Sequence, residues 1–177
     1  MKKLAIGVDI GGINTAFGLV DENGDLYAES VISTKKYPYV DDYPAYVADL
    51  CDSMKALAQS VSFDYELMGI GIGAPNANYH KGTVETPANL WRFRESDTDR
   101  NPERRIFHLA EDISQRFDGQ KVLVTNDANA ATIIITPRGK GNTQRPALDQ
   151  LRSKSRMEII SFASSRPRRS SSTWGRG

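Results

Sequence analysis

An α/β fold, a mixed sheet with helices packed against it, is what the sequence predicts, on three observations. Apolar runs and amphipathic stretches follow one another in the order β-β-β-α-β-α-β-α through the first 132 residues. An Asn-Gly pair, Asn23-Gly24, separates two strand-like runs close to the amino terminus, and Asn-Gly between apolar runs signals a hairpin because both residues tolerate positive φ. Val47, Leu50, Cys51, Met54, Leu57, Ala58 and Val61 recur at intervals of three and four, the spacing of one helical face.

Residues 4–10 read as a buried strand, and residues 15–20 and 26–34 as two more, joined through Asp21-Glu22-Asn23-Gly24-Asp25 into an antiparallel opening. Pro44 suits the first turn of the helix that carries the spaced apolar residues. Residues 67–73, Leu-Met-Gly-Ile-Gly-Ile-Gly, predict a fourth strand with glycines where a backbone or ligand comes close. About thirty residues rich in Asn, Pro, Asp and Arg then read as loop with short strands. A second helix is expected over 103–117, with Ile106, Leu109, Ala110, Ile113 and Phe117 on one face, His108 within it and Gly119 closing it. Residues 121–125 read as a strand, and Asn126-Asp127-Ala128-Asn129-Ala130-Ala131 as the capped start of another helix.

The chain has 177 residues, 39% hydrophobic and 25% charged, which suits one globular domain or one domain with a tail. A single cysteine, Cys51, excludes a disulfide framework and a cysteine-rich zinc cluster, and its place on the apolar helix face marks it as a core thiol. The opening Met1-Lys2-Lys3-Leu4 imitates a signal peptide, but Asp9 ends the apolar run too early. No run approaches the roughly 18 apolar residues of a membrane helix, so a soluble, cytoplasmic protein without a membrane partner is expected.

Charge divides the chain sharply. Residues 1–132 hold 13 Lys/Arg against 20 Asp/Glu, a net of −7, whereas residues 133–177 hold 10 against 2, a net of +8. Periodicity ends at the same point, and the Ser-, Arg- and Pro-rich remainder is expected to be a disordered, basic tail.

Three segments carry candidate chemistry. In Asp9-Ile10-Gly11-Gly12-Ile13-Asn14, two glycines let backbone N–H groups face a phosphate, and a carboxylate at a strand end can hold Mg²⁺ through water. A tight hairpin uses the same residues. In Gly69-Ile70-Gly71-Ile72-Gly73-Ala74-Pro75-Asn76, followed by Asn89-Leu90-Trp91, amide side chains offer the donors and acceptors that vicinal sugar hydroxyls need, and an aromatic ring can wall a pocket. Close strand packing and turns are the alternative. In Asn126-Asp127-Ala128-Asn129, a carboxylate at a helix start can accept a hydroxyl proton during phosphoryl transfer, or can serve as a plain N-cap.

Taken together, in this order and spacing, the three segments resemble the ROK (repressor, open reading frame, kinase) family of sugar kinases over roughly residues 3–132. The resemblance implies an actin-like, hexokinase-like ATPase fold, with a ribonuclease H-like mixed sheet and helices, here truncated. It implies an N-terminal domain over residues 1–120, the start of the second kinase lobe over 121–132, and a non-family tail over 133–177. Asp127 would be the general base that takes the proton of a hexose hydroxyl as it attacks the γ-phosphate of ATP. Gly73, Pro75, Asn76, Asn89 and Asn126 would bind the sugar, glucose being the expected substrate. Gly11, Gly12, Ile13 and Asn14 would line the phosphates, and Asp9 would help place Mg²⁺. Ile13 stands where the family commonly has Thr, which removes one hydroxyl contact to phosphate.

Family members are about twice this length, and their second half carries another phosphate hairpin, the adenosine pocket and often a zinc site. The sequence therefore predicts an incomplete enzyme of little or no activity, with the reading frame departing from the family's after Thr132. An intact member would be expected to form a homodimer. Two alternatives remain open: a non-catalytic sugar-binding fragment and a ROK-type transcriptional regulator. Nucleic acid is not the expected partner, because the basic residues of the tail are scattered rather than repeated.

Overall fold

The computed structural model describes residues 1–126. The chain opens as a meander: β1 (Lys2–Ile10), β2 (Thr15–Asp21) and β3 (Leu26–Ile32), with β1 and β2 antiparallel and β2 and β3 antiparallel. The turn between β2 and β3 is built by Asp21 and Gly24. Gly24 has φ of 82° and donates to Asp21 O at 3.0 Å, while Asp21 Oδ1 accepts from the amides of Asn23 at 2.9 Å and Asp25 at 3.0 Å. Only the glycine of the Asn-Gly pair uses positive φ; the asparagine's place is fixed by the Asp21 carboxylate.

Two 3-10 turns, Thr34–Lys36 and Val40–Asp42, lead into α1 (Tyr43–Gln59), with Pro44 in its first turn. Tyr46, Val47, Leu50, Cys51, Met54 and Leu57 are its buried residues; of the stripe that the spacing predicts, Ala58 is only half-buried and Val61 lies beyond the helix end, while Tyr46 is added. Each such side chain contributes about 1.5–3 kcal/mol by leaving water. Cys51 is a core thiol, and burial pushes its pKa up to about 11.

β4 (Tyr65–Ala74) then runs parallel to β1. The register slips once between Leu4 and Ile6, opposite Gly69 at φ 152°, a backbone that glycine adopts without a Cβ clash. A small antiparallel sheet follows, made of β5 (Ala77–Asn78), β6 (Thr83–Glu85) and β7 (Ile106–Phe107), in the order β5-β6-β7. α2 (Leu109–Arg116) and β8 (Val122–Asn126) complete the described chain.

The second helix is thus shorter than the spacing predicts. Asn101 accepts from Glu103 N at 3.0 Å and caps a 3-10 turn, Pro102–Arg105, and the chain is then extended where Val84 pairs with Phe107 and Glu85 with Ile106. Strand pairing claims Ile106, whose apolar spacing also fits a helix, so Ile106 is left 39% exposed while Leu109 and Ile113 are buried. His108 is the N-cap residue, exposed, rather than an interior one. The helix closes at Gly119, φ 78°, whose amide donates to Ser114 O at 3.0 Å.

The main sheet has the order β3-β2-β1-β4-β8, with β1, β4 and β8 parallel. Alternation along β1 buries Leu4, Ile6, Val8 and Ile10. The opposite face carries small residues: Gly7 pairs with both Gly18 and Gly71, and Asp9 with both Ala16 and Gly73. Directly paired residues share a face, so this side of the sheet is bare of bulk around Asp9. α1 packs over β2 and β3, α2 against β8, and the two helices touch. No helix among the described residues is long and apolar enough to cross a membrane.

Candidate functional site

Parallel strands end together, and the register shows which residues share that end. Asp9 pairs with Gly73, and Gly73 with Thr125, so the three lie in one row across β1, β4 and β8. With strands about 4.8 Å apart, the row spans about 10 Å. Asn126 pairs with Ala74, one position nearer the carboxyl ends. Asp127 lies outside the described residues. In open α/β sheets the crevice beyond the carboxyl ends of the strands is where ligands bind.

The glycine turn stands over this end. Gly11 N donates to Asn14 O at 3.0 Å and closes the turn between β1 and β2, so that amide is committed; Gly12, Ile13 and Asn14 are exposed, Ile13 by 67%. Lys35 N donates to Ile13 O at 3.0 Å, fastening the turn to the Thr34–Lys36 segment. Beneath it the buried Thr15 Oγ1 lies 2.8 Å from both Thr34 Oγ1 and Tyr46 Oη. Burial holds the Tyr46 phenol protonated well above the usual tyrosine range. These three hydroxyls satisfy one another in the core and fix the turn to α1.

The loop after β6 reaches the same turn. A Cβ placed on Gly12 would sit 3.5 Å from Asn89 Cβ and 3.9 Å from Asn89 O. Asn89 is exposed, while Leu90 and Trp91 beside it are buried. The structure thus brings together Asp9, Gly11, Gly12, Gly73, Asn89 and Asn126. Pro75, half-buried, leads out of the end of β4. Asn76, at φ 55°, donates from Nδ2 to Thr86 O at 3.3 Å, and its backbone carbonyl accepts from Glu85 N at 3.0 Å, so side chain and backbone both hold the turn at the mouth of the small sheet.

Trp91 does not wall a pocket. It is fully buried, packed against Tyr43, Tyr46 and Phe107 at centroid distances of 4.9, 5.2 and 4.7 Å. Its size and apolar area draw it into the gap between α1 and the small sheet. Its Nε1 has no hydrogen-bond partner among the described residues.

One residue that the sequence reading passed over stands out. The guanidinium of Arg105 donates from Nη2 to Pro87 O and, at 3.2 Å, to Leu90 O, and from Nε to Trp91 O at 3.3 Å. Burial and then the positive charge of Arg92 lower its pKa below the usual arginine value, while an arginine remains charged. Its sequence signal was faint, since Arg104-Arg105 reads as the polar edge of a helix. Among the described residues no group of three His, Cys, Asp or Glu is placed to hold a metal.

No protein-family model matches the sequence. The chain is 34% identical over 130 residues to a glucokinase of Streptomyces coelicolor, a match that covers 72% of this chain and 34% of the relative. It is similar to the crystal structure of a ROK-family glucokinase from Streptomyces griseus in complex with glucose and AMPPNP, at 31% identity and a TM-score of 0.50, over 72% of this chain and 34% of that one. The fold alone is shared with a ROK-family transcriptional regulator, a homologue of the E. coli MLC protein, at 17% identity and a TM-score of 0.56, over 75% of this chain and 30% of that one. The chain spans about a third of the length of the curated relatives it matches.

The fold is a mixed α/β sheet with helices, of the hexokinase and actin type, in which three parallel strands end together. The chain belongs to the ROK family of sugar kinases.

Proposed function

We propose that this chain supplies the sugar-side lobe of an ATP-dependent hexose kinase, glucose being the hexose. The observation that carries the proposal is the contact of Gly12 with Asn89 above the row formed by Asp9, Gly73 and Thr125. A phosphate turn and an amide-bearing loop meet where a hydroxyl and a phosphoryl group would have to meet.

In this reading Asn89 and Asn126 hold ring hydroxyls, with Gly73, Pro75 and Asn76 shaping the floor. Asp127, the residue after Asn126, accepts the proton of the attacking hydroxyl, and positioning does most of the remaining work. The fit to a nucleotide rests on a turn closed by Gly11 in which Gly12, Ile13 and Asn14 are exposed residues, so that their backbone N–H groups would serve as donors. Asp9, with no Cβ on its neighbour Gly73 to crowd it, would hold Mg²⁺ through water. The bound cation would neutralise charge on the transferring phosphoryl group.

The chain spans 34% of the glucokinase it matches, so the remainder of a nucleotide site is not supplied by the matched residues. That supports sugar binding without turnover as the property of this chain alone. Calorimetry of the 177-residue chain with glucose, mannose and N-acetylated hexosamines tests it: saturable binding of glucose is expected, and no heat with any hexose overturns the reading. A coupled ADP-release assay with glucose is expected to stay at background. Turnover in the range of about 1–100 s⁻¹ usual for kinases would overturn the view that the chain is catalytically incomplete.

A further inference from the structure

The loop that presents Asn89 is bounded by two residues in left-handed backbone, Thr86 at φ 45° and Trp91 at φ 44°. Neither is a glycine, and Trp91 is bulky. Such backbone is strained in a residue other than glycine and persists only where its surroundings over-determine it. Both ends of this loop are held by the same side chain and its backbone. Thr86 N donates to Arg105 O at 2.8 Å, and the Arg105 guanidinium donates to the carbonyls of Pro87, Leu90 and Trp91. Those three carbonyls lie on either side of Asn89. On the far side, Arg92 N donates to Pro38 O at 2.8 Å and Val40 N to Arg92 O at 3.1 Å, which anchors the exit of the loop but not Asn89 itself.

We infer that Arg105 is a positioning residue for the hexose pocket: its guanidinium, bonded to the carbonyls that bracket Asn89, holds that amide in place opposite Gly12. The inference rests on the hexose reading above and adds a residue to it. A planar fork of donors holds these three carbonyls in one fixed geometry, whereas a lysine ammonium is a compact charge on a flexible stem whose donors are not fixed in that plane. The surrounding rings do not substitute for it, because Trp91 offers no hydrogen bond to the loop and Phe93 only a ring face 5.9 Å from the guanidinium.

The test uses the full chain in a Trp174→Phe background, which leaves Trp91 as the sole tryptophan of the two. Arg105→Lys is expected to shift Trp91 emission to the red and to weaken glucose binding about tenfold. Arg105→Ala should do both more strongly, and millimolar methylguanidinium should restore both, at a temperature where circular dichroism shows both variants folded. Arg105→Lys keeps the inference falsifiable should the alanine variant fail to fold. Emission and affinity unchanged in Arg105→Lys would overturn the role of Arg105 while leaving the hexose reading intact. Wild-type chain that binds no hexose would overturn that reading instead, and the emission shift would then report only Arg105's hold on the loop.

Discussion

Gly12 and Gly82 make opposite demands on a substituted side chain. Gly12 has no positive φ, and a Cβ there would meet Asn89 Cβ at 3.5 Å, an ordinary contact distance. Gly12→Ala is therefore expected to leave the urea midpoint unchanged while weakening glucose binding severalfold, because the methyl group occupies the space between turn and loop. Equal losses in stability and affinity would show that the gap is structural instead. Gly82 has φ of 67°, and a Cβ built on it would stand 2.7 Å from Ala110 Cβ. Gly82→Ala is expected to cost about 1–3 kcal/mol, read as a lower urea midpoint, because Ala110 N is bonded to Gly82 O at 3.0 Å and cannot move away freely. The sequence marked neither distinction. It placed glycines at turns, and only the neighbours decide which one guards a ligand and which one guards packing.

At the scale of elements, the β2–β3 hairpin depends on one carboxylate. Desolvation works to raise the pKa of Asp21, but hydrogen bonds from Asp25 N, Tyr27 Oη and Asn23 N, and the charge of Lys2, outweigh it and hold the pKa below the usual aspartate value. A folded-state pKa below the unfolded one gives stability that is present above the unfolded value of about 3.9 and is lost as pH falls through the folded value. The hairpin is thus expected to loosen below about pH 4. Amide exchange of β3 in wild type and Asp21→Asn should show it, with the variant already loosened near neutral pH and less sensitive to acid; identical exchange profiles would rule the mechanism out. This hairpin was legible because its signal is local, as was α1, whose apolar stripe is continuous over four turns. α2 was legible only in part. Ile106 carries helical spacing, yet β6 offers it and Phe107 strand partners, and a contact with residues 84 and 85 is invisible in a window around 106.

At the scale of the molecule, Asp9, Gly73 and Thr125 form one row near the carboxyl ends of three parallel strands. Both helices lie against the sheet and touch each other, while the strip of glycine and alanine around Asp9 keeps the other face thin. In the proposed reading, a chain spanning about a third of its glucokinase relatives places a hexose and a phosphate turn side by side, and the binding and turnover assays above separate that ability from catalysis. The candidate site was partly legible. Asp9, Gly11, Gly12, Gly73, Asn89 and Asn126 do converge at one edge. Asp127, on which the chemistry of the proposal depends, lies outside the described residues, and Trp91 serves the core.

By itself the sequence determined the order of elements, the glycine turn after β1, the helix that covers the meander and the family to which the chain belongs, because each of these is written in local spacing or in contiguous motifs. Tertiary structure alone decided that Gly12 faces Asn89, that Trp91 is core, and that Arg105 binds the carbonyls around Asn89. Those contacts join segments tens of residues apart. Their energies arise from desolvation and from hydrogen-bond geometry that exist only once the chain has folded.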